Sequence, residues 1–256
     1  MGFFIAWQFL TAIPSPLRRE ASAGELGRSQ VYFPLVGLVL GLIVAGLDWL
    51  LGVVFPAVVV SVLIVIALVI ATGALHLDGF IDTCDGVVGG GTPERRLAIM
   101  RDARVGSFGV VGACCLLLLK YASLVALAGG ARTGALIVAP VLSRWAMVYA
   151  LFAYPYARAD GGKGTAFHEE ARWWRLALAT MVALVCSAVL FGPAGLALLL
   201  GAWLVTAALS SYIRARLGGL TGDSYGAVNE TIEVAVLALA PLAAKWLPTM
   251  GGLPFV

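Results

Sequence analysis

The sequence has little charge, and this scarcity decides its broad class. Only 12% of its 256 residues are charged, whereas about 25% are charged in typical soluble domains. Hydrophobic residues make up 61% of the chain, and the mean hydropathy is +0.97. The composition excludes an ordinary soluble protein and predicts a polytopic membrane protein embedded in the lipid bilayer. The net charge of +3 is small and the basic residues are dispersed, so nucleic-acid binding is not indicated.

The sequence also shows neither the cysteine spacing of a metal or redox motif nor the pattern of a cleaved leader. The four cysteines, Cys84, Cys114, Cys115 and Cys186, show no CxxC spacing, and three of them fall in apolar runs. We interpret them as small apolar packing residues. The N-terminus has neither a basic n-region nor a small-residue cleavage site, so a cleaved signal peptide is not predicted.

The apolar residues fall into seven runs that are long enough to span a bilayer, which takes about 20 residues. They predict one membrane-embedded domain, residues 1–256, folded as an all-α bundle of about seven transmembrane helices. Two runs are separated only by Gly192-Pro193, so six spans are the alternative. Residues 2–13 are too few to span, and we expect an interfacial or re-entrant helix there. The runs are 33–53, 56–76, 108–128, 133–152, 175–192, 194–213 and 231–247.

The basic residues are distributed unevenly between the two sides of this bundle. Most of the 17 lysines and arginines lie in loops that would share one side of the membrane with the N-terminus. Cytoplasmic loops carry such an excess of positive charge. We therefore expect the N-terminus and every sizeable polar loop to be cytoplasmic.

One polar segment, residues 76–109, interrupts the apolar pattern and is the predicted main catalytic segment. Asp78, Asp82 and Asp85 are spaced i, i+4 and i+7, so a helix would place all three on one face. Three like charges on one face need a cation among them. Mg2+ prefers oxygen ligands of this kind and usually brings phosphates with it. These aspartates and Asp102 are candidate metal ligands; a solvated loop is the alternative.

Glycines and arginines of the same segment are candidates for substrate binding. Gly79 and Gly86 lie seven residues apart, on an adjoining strip with no side chains to keep a ligand away. Arg101 and Arg104 flank Asp102, where guanidinium groups suit phosphate oxygens. Ordinary cytoplasmic-side charges are the alternative for both arginines.

Arg158 and Lys163 lie in a glycine-rich loop that can wrap a phosphate. The spacing of a P-loop is absent, and a flexible linker is the alternative. His76 lies just before the aspartates, where it either contacts substrate or snorkels to the membrane interface.

The last apolar run begins with two acids. The loop Gly218–Ala227 leads into Glu230 and Glu233, which a helix would place near one face. An acid inside a span predicts a function, and an intramembrane arginine must face protein, water or an anion. We expect Arg144 to face an anionic ligand or one of these two acids.

These features predict a membrane-embedded, Mg2+-dependent enzyme that acts on a phosphate or diphosphate. Phosphoryl transfer needs positioning and neutralisation of negative charge, which metal-bound carboxylates and arginines supply. A transporter is the main alternative, because Asp48, Lys120 and Arg144 lie within apolar runs. Polar groups concentrated on one side and the lack of a visible inverted repeat argue against transport.

Over nearly its whole length the chain resembles the cobalamin synthases, adenosylcobinamide-GDP ribazoletransferases of the last step of vitamin B12 assembly. The matching segments include Phe9–Pro16 (FLTAIPSP), His76–Gly90 (HLDGFIDTCDGVVGG), Arg95–Gly109 (RRLAIMRDARVGSFG) and Gly218–Glu233 (GGLTGDSYGAVNETIE). Several motifs in matching order make the resemblance specific. The CDP-alcohol phosphotransferases are only analogous, because Gly89-Gly90 stands where their motif has Ala-Arg.

The resemblance implies a transferase reaction that requires Mg2+. Adenosylcobinamide-GDP would donate its cobinamide phosphate to the ribose hydroxyl of α-ribazole or its 5'-phosphate, and GMP would leave. Together with the charge bias, it implies the bacterial cytoplasmic (inner) membrane; a homo-oligomer and docking of pathway enzymes are left open. The expected metal ligands are Asp78, Asp82, Asp85 and Asp102, and the expected catalytic residues are Asp82, Asp85, Asp102 and Glu230. The expected substrate-binding residues are His76, Gly79, Gly86, Gly89, Gly90, Arg101, Arg104, Arg144, Arg158, Lys163, Asp223 and Asn229.

Overall fold

The computed structural model describes residues 1–17, 19–158 and 163–244, and within these ranges the chain is helical without a β-strand. The predicted all-α class is therefore confirmed. A short 3-10 turn, Ser29–Tyr32, joins the second helix to the third. The helices are α1 (Gly2–Leu10), α2 (Ala23–Arg28), α3 (Phe33–Gly52), α4 (Ala57–Ala71), α5 (Leu75–Val88), α6 (Pro93–Ile99), α7 (Ser107–Val125), α8 (Gly129–Ala153), α9 (Lys163–Glu169), α10 (Trp173–Phe191), α11 (Pro193–Leu217) and α12 (Gly222–Ala244).

Six stretches of the described chain are long and apolar enough to cross a membrane. One of them runs continuously through α2 and α3, and the others are α7, α8, α10, α11 and α12. The pair of α4 and α5 is bent by 89° and makes a seventh span if it is counted as one. The predicted number of six or seven is confirmed. The nine residues of α1 are too few to span, as expected for the N-terminal segment.

The bend between α4 and α5 corrects the predicted span 56–76. Helix α4 stops at Ala71, and positive φ angles at Gly73 (60°) and Ala74 (58°) separate it from α5. Glycine adopts this left-handed conformation readily, but alanine rarely does. Nothing in the apolar pattern marks such a turn, and it is this turn that sends the acidic helix in a new direction.

The most deeply buried helix of the bundle is α8, which packs against α3, α10, α11 and α12. Its contact with α3 is close because Gly37 and Gly41 present no side chain to it. A Cβ at Gly37 would collide with the backbone of Pro140, and one at Gly41 would collide with that of Ile137. This spacing of two small residues four apart is typical of tightly packed membrane helices.

The outer surface of the bundle is apolar. Val189 on α10 is 77% exposed and Leu118 on α7 is 66% exposed, which suits contact with acyl chains rather than water. All four cysteines are free. The packing interpretation is wrong for Cys114 and Cys115, which lie on the exposed face of α7.

Candidate active site

The acidic helix α5 is held against the start of α12 by two glycines. A Cβ at Gly79 would meet the backbone of Asp223, and one at Gly226 would meet the backbone of His76. The two helices can therefore approach until their backbones touch. As a result, Asp78 on α5 and Asp223 on α12 line the same cavity.

The other predicted glycines have several surroundings. A Cβ at Gly86 would collide with the side chain of Met100, the residue that directly follows α6. A Cβ at Gly89 would collide with the carbonyl oxygen of Asp85. At Gly90, φ is +68° and the space beside the backbone is open. Other parts of the protein thus occupy the space beside Gly79 and Gly86. Close packing is therefore sufficient to explain why these two positions are glycines. Substrate binding by these four glycines stays a prediction.

Two loops that are distant in sequence are joined beside this helix pair. The backbone N–H of Ala157 donates to the carbonyl of Leu220 at 2.8 Å, and that of Leu220 donates to Pro155 at 2.8 Å. Arg158 then donates to the Asp223 carboxylate at 2.7 Å. The structure therefore unites two predicted substrate-binding residues. The side chain of Lys163, predicted with Arg158, lies outside the described part of the chain.

A cavity of about 240 Å3 lies where these elements meet. Its polar lining includes four of the predicted site residues: His76, Asp78, Arg158 and Asp223. Sequence reasoning did not identify the rest of the lining, because aromatic residues are unremarkable in an apolar chain. These further residues include Phe9, Phe33, Tyr156, Phe167 and Tyr225.

The predicted metal ligands on α5 divide into two kinds. Within the described ranges, Asp78 and Asp82 form no side-chain hydrogen bond or ion pair, and Asp82 interacts electrostatically with Asp78 and Asp223. Both oxygens of Asp85 are used: the backbone N–H groups of Gly106 and Gly109 each donate to it at 2.8 Å. Asp85 therefore caps the N-terminus of α7, where unpaired N–H groups need an acceptor.

Asp102 lies apart from the cavity, in a surface hollow of about 420 Å3 that Asp85, Gly89 and Arg104 also line. Arg104 donates to its carboxylate at 2.7 Å. Hydrogen bonds from the guanidinium and the backbone of Arg104 lower the pKa of Asp102 to about 2. Arg101 is exposed beside this pair. The structure thus does not bring Asp102 together with Asp78.

Four buried charged residues form a cluster between α7, α8 and α12, which we call the central charge cluster. Lys120 donates to Glu230 and to Glu233 at 2.8 Å each. Arg144 donates to Glu233 at 2.7 Å. Of the two expectations for Arg144, the pairing with an acid is confirmed. Glu230, an expected catalytic residue, is bonded to Lys120 inside the bundle, and its catalytic role stays a prediction.

Several polar atoms around this cluster are buried without a hydrogen-bond partner in the described part of the chain. They include Nε2 of His76, both side-chain amide atoms of Asn229, and Nε and Nη2 of Arg144. The hydroxyl of Tyr225 is a further example. Buried polar groups normally have partners, so a group of unpaired ones indicates water or a ligand that completes them.

We find no group of three or more His, Cys, Asp or Glu residues arranged to hold a metal ion within the described ranges. This does not exclude Mg2+, which proteins commonly bind through one or two carboxylates while substrate phosphates and water complete the coordination. Asp78 and Asp82 offer two such carboxylates, one helical turn apart.

The helical fold, the lipid-facing outer surface and the cavity lined by acidic and basic side chains define an integral membrane protein with a candidate site for an anionic substrate. A family model described as cobalamin-5-phosphate synthase matches residues 2–241. The chain belongs to the cobalamin-5-phosphate synthase family.

Curated relatives cover almost the same length. A protein of Desulforamulus reducens is 42% identical over 94% of this chain and 96% of its own. One of Geotalea daltonii is 40% identical, over 92% and 94% respectively, and one of a Roseiflexus species is 41% identical, over 93% and 88%. Each is named an adenosylcobinamide-GDP ribazoletransferase. No solved structure matches the chain.

Proposed function

We propose that this protein is an adenosylcobinamide-GDP ribazoletransferase of cobalamin biosynthesis. Membership of the family along almost the whole chain supports this activity. The observation that carries the assignment to a site is the cavity, which gathers Asp78, Asp223, Arg158 and His76 from three parts of the sequence.

In the proposed reaction, a ribose hydroxyl oxygen of α-ribazole or its 5'-phosphate attacks the phosphorus that carries the cobinamide. The new O–P bond forms, the bond to GMP breaks, and the hydroxyl proton passes to a base. Asp78 lines the cavity and Asp82 lies one helical turn further along α5. Neither has a hydrogen-bond or ion-pair partner in the described chain, and we assign the base to one of them. Arg158 steadies phosphate oxygens, and Asp223 holds its guanidinium in place.

We further propose that Mg2+ binds at Asp78 and Asp82, which fit it because their oxygens are hard donors. When bound, the ion would neutralise charge on the diphosphate. Asp85 and Asp102 are left out of this ligand set, since a helix terminus and Arg104 already use their oxygens.

The positive-inside distribution supports an orientation in the bacterial inner membrane with the N-terminus and the cavity facing the cytoplasm. The loop that carries Arg158 and the segment that carries Arg101 and Arg104 are among the basic regions on that side. Both substrates would then reach the site from the cytoplasm, where nucleotides are made and used.

The experiment is GMP release by the purified protein in detergent, supplied with adenosylcobinamide-GDP and α-ribazole 5'-phosphate, with Mg2+ or with EDTA. We expect release that needs both substrates and stops in EDTA. Release that persists in EDTA would contradict the proposed metal but keep the transferase. A folded sample that releases no GMP with Mg2+ present would contradict the transferase, and uptake into sealed vesicles would then be measured.

A further inference from the structure

The cavity has an aromatic part that the phosphate chemistry does not use. Phe9 from α1, Phe33 from α3 and Phe167 from α9 surround one another there, with ring centroids 4.8 to 6.1 Å apart. All three rings line the cavity beside Asp78. Offset and edge-on arrangements of this kind favour contact with a further flat ring.

Polar atoms on three residues of the cavity lining, His76, Arg158 and Tyr225, are buried without a hydrogen-bond partner in the described chain, and two of these residues are not engaged by an ion pair. His76 is 1% exposed and its Nε2 is unpaired, and Tyr225 is 3% exposed and its hydroxyl is unpaired. Both residues line the same cavity as the three phenylalanines. A buried hydroxyl without a partner costs free energy, so a ligand atom that accepts its hydrogen bond would be favoured.

The size and polarity of the cavity limit what can fill it. Its volume of about 240 Å3 is below the roughly 300 to 1,000 Å3 usual for drug-sized ligands, so the corrin ring system does not fit. Asp78, Arg158 and Asp223 of the same lining are assigned to the phosphate chemistry, which leaves His76 and Tyr225 for a base. Guanine presents more donors and acceptors on its edges than these two residues can satisfy. The base of ribazole is a methylated benzimidazole, which is flat and apolar and has one free ring nitrogen as an acceptor.

We propose that this cavity binds the aromatic base of the acceptor nucleoside. The base lies among Phe9, Phe33 and Phe167, and its free ring nitrogen accepts a hydrogen bond from Tyr225. The ribose then extends toward Asp78, where the transfer takes place. This subsite rests on the proposed function, because it takes the acceptor to be a ribazole.

The test compares Michaelis constants for the two substrates in Tyr225→Phe, which removes only the hydroxyl. We expect the KM for α-ribazole 5'-phosphate to rise about tenfold, as for the loss of one hydrogen bond to a buried partner, with the KM for adenosylcobinamide-GDP unchanged. Phe9→Ala should raise the same constant. Tyr212→Phe is the matched control, because Tyr212 is 47% exposed on α11 and lies outside the cavity lining.

Equilibrium binding of α-ribazole alone, without the donor, separates this subsite from the proposed reaction. Binding of α-ribazole that weakens in Tyr225→Phe supports the subsite, even if the protein releases no GMP. In that case the proposed transferase function would be contradicted, but the subsite would not. An active protein whose acceptor KM is unchanged in Tyr225→Phe and Phe9→Ala overturns the subsite. So does a rise confined to the KM for adenosylcobinamide-GDP, which would place the guanine in this cavity.

Discussion

Two buried arginines on α8 have opposite surroundings, although both lie in an apolar helix. Arg132 donates from Nε and Nη2 to Asp48 and from Nη1 to Ser61, so all three of its nitrogens are bonded. Arg144 lies roughly 18 Å further along the helix. Only its Nη1 is bonded, to Ser143 and Glu233, and its other two nitrogens are unpaired in the described chain.

The difference predicts that Arg132 stabilises the fold, whereas Arg144 also has nitrogens free to meet water or a ligand. A fully bonded arginine needs no ligand, whereas unpaired buried nitrogens cost free energy unless something completes them. We therefore expect the rule that intramembrane charges indicate function to apply to Arg144 rather than to Arg132. The structure also weakens the transporter alternative, because Asp48 and Lys120 are paired within the protein.

The largest effect is expected from breaking the central charge cluster. Glu233→Gln would leave Lys120 and Arg144 with one acid between them, and we expect the free energy of unfolding to fall by about 3 to 5 kcal/mol. The measurement is thermal unfolding in detergent. The matched control is Glu169→Gln at an exposed site, expected within about 0.5 kcal/mol of the parent. Equal losses in both variants would show that the central charge cluster does not stabilise the fold.

A carboxylate at the proposed site should matter for turnover rather than for folding. For Asp82→Asn we expect kcat to fall about 100-fold or more, because the variant loses a charge that acts on the transferred phosphate. Its unfolding temperature should stay at the parent value, since Asp82 forms no bond in the described chain. GMP release and thermal unfolding would be measured on the same preparation. Activity near the parent level would remove Asp82 from the site.

An aspartate-to-asparagine substitution at the Arg132 pair should lower stability and leave turnover unchanged. Asp48→Asn removes the charge that pairs with Arg132 at 2.6 Å, and we expect a loss of about 1 to 3 kcal/mol in stability with kcat unchanged. Asp48→Asn and Asp82→Asn would both be measured by GMP release and by thermal unfolding, so that their opposite effects on stability and turnover can be compared directly. A large loss of kcat in well-folded Asp48→Asn would place this pair in the functional machinery.

The smallest effect concerns Asp102 at the surface. Its lowered pKa means that its ion pair with Arg104 is fully present above the ordinary aspartate value and is lost only as the pH falls through about 2. We therefore expect the ratio of activities of Asp102→Asn and the parent to be constant between about pH 5 and pH 8. A ratio that changes with a midpoint in this range would show that Asp102 titrates in the working enzyme.

The parts of this arrangement that could be predicted are those encoded locally. The spacing of Asp78, Asp82 and Asp85 predicted a helix, and α5 is that helix. Arg144 was expected to meet an acid or a ligand, and the structure assigns it to Glu233. The first inference needs only the periodicity of one segment. The second needs only the rule that a charge in an apolar helix requires a partner, although that partner is 89 positions away.

The remaining features depend on contacts between distant segments. The capping of α7 by Asp85 joins residues 21 and 24 positions apart, and a lone sequence offers no reason to select it. Phe167 and Tyr225 were missed because an aromatic residue in an apolar chain is most simply explained by packing. The turn at Ala74 was missed because its conformation is unfavourable for alanine and is imposed by the surroundings.

The early end of α4 has a consequence for the membrane itself. Its 15 residues extend about 22 Å, whereas the hydrocarbon core is about 30 Å thick. A helix that is too short for the bilayer draws the leaflets together or tilts its neighbours, at a cost that depends on acyl-chain length. Because α5 follows directly after the bend, we expect bilayer thickness to act on the position of the aspartates and turnover to depend on the acyl-chain length of the surrounding lipid.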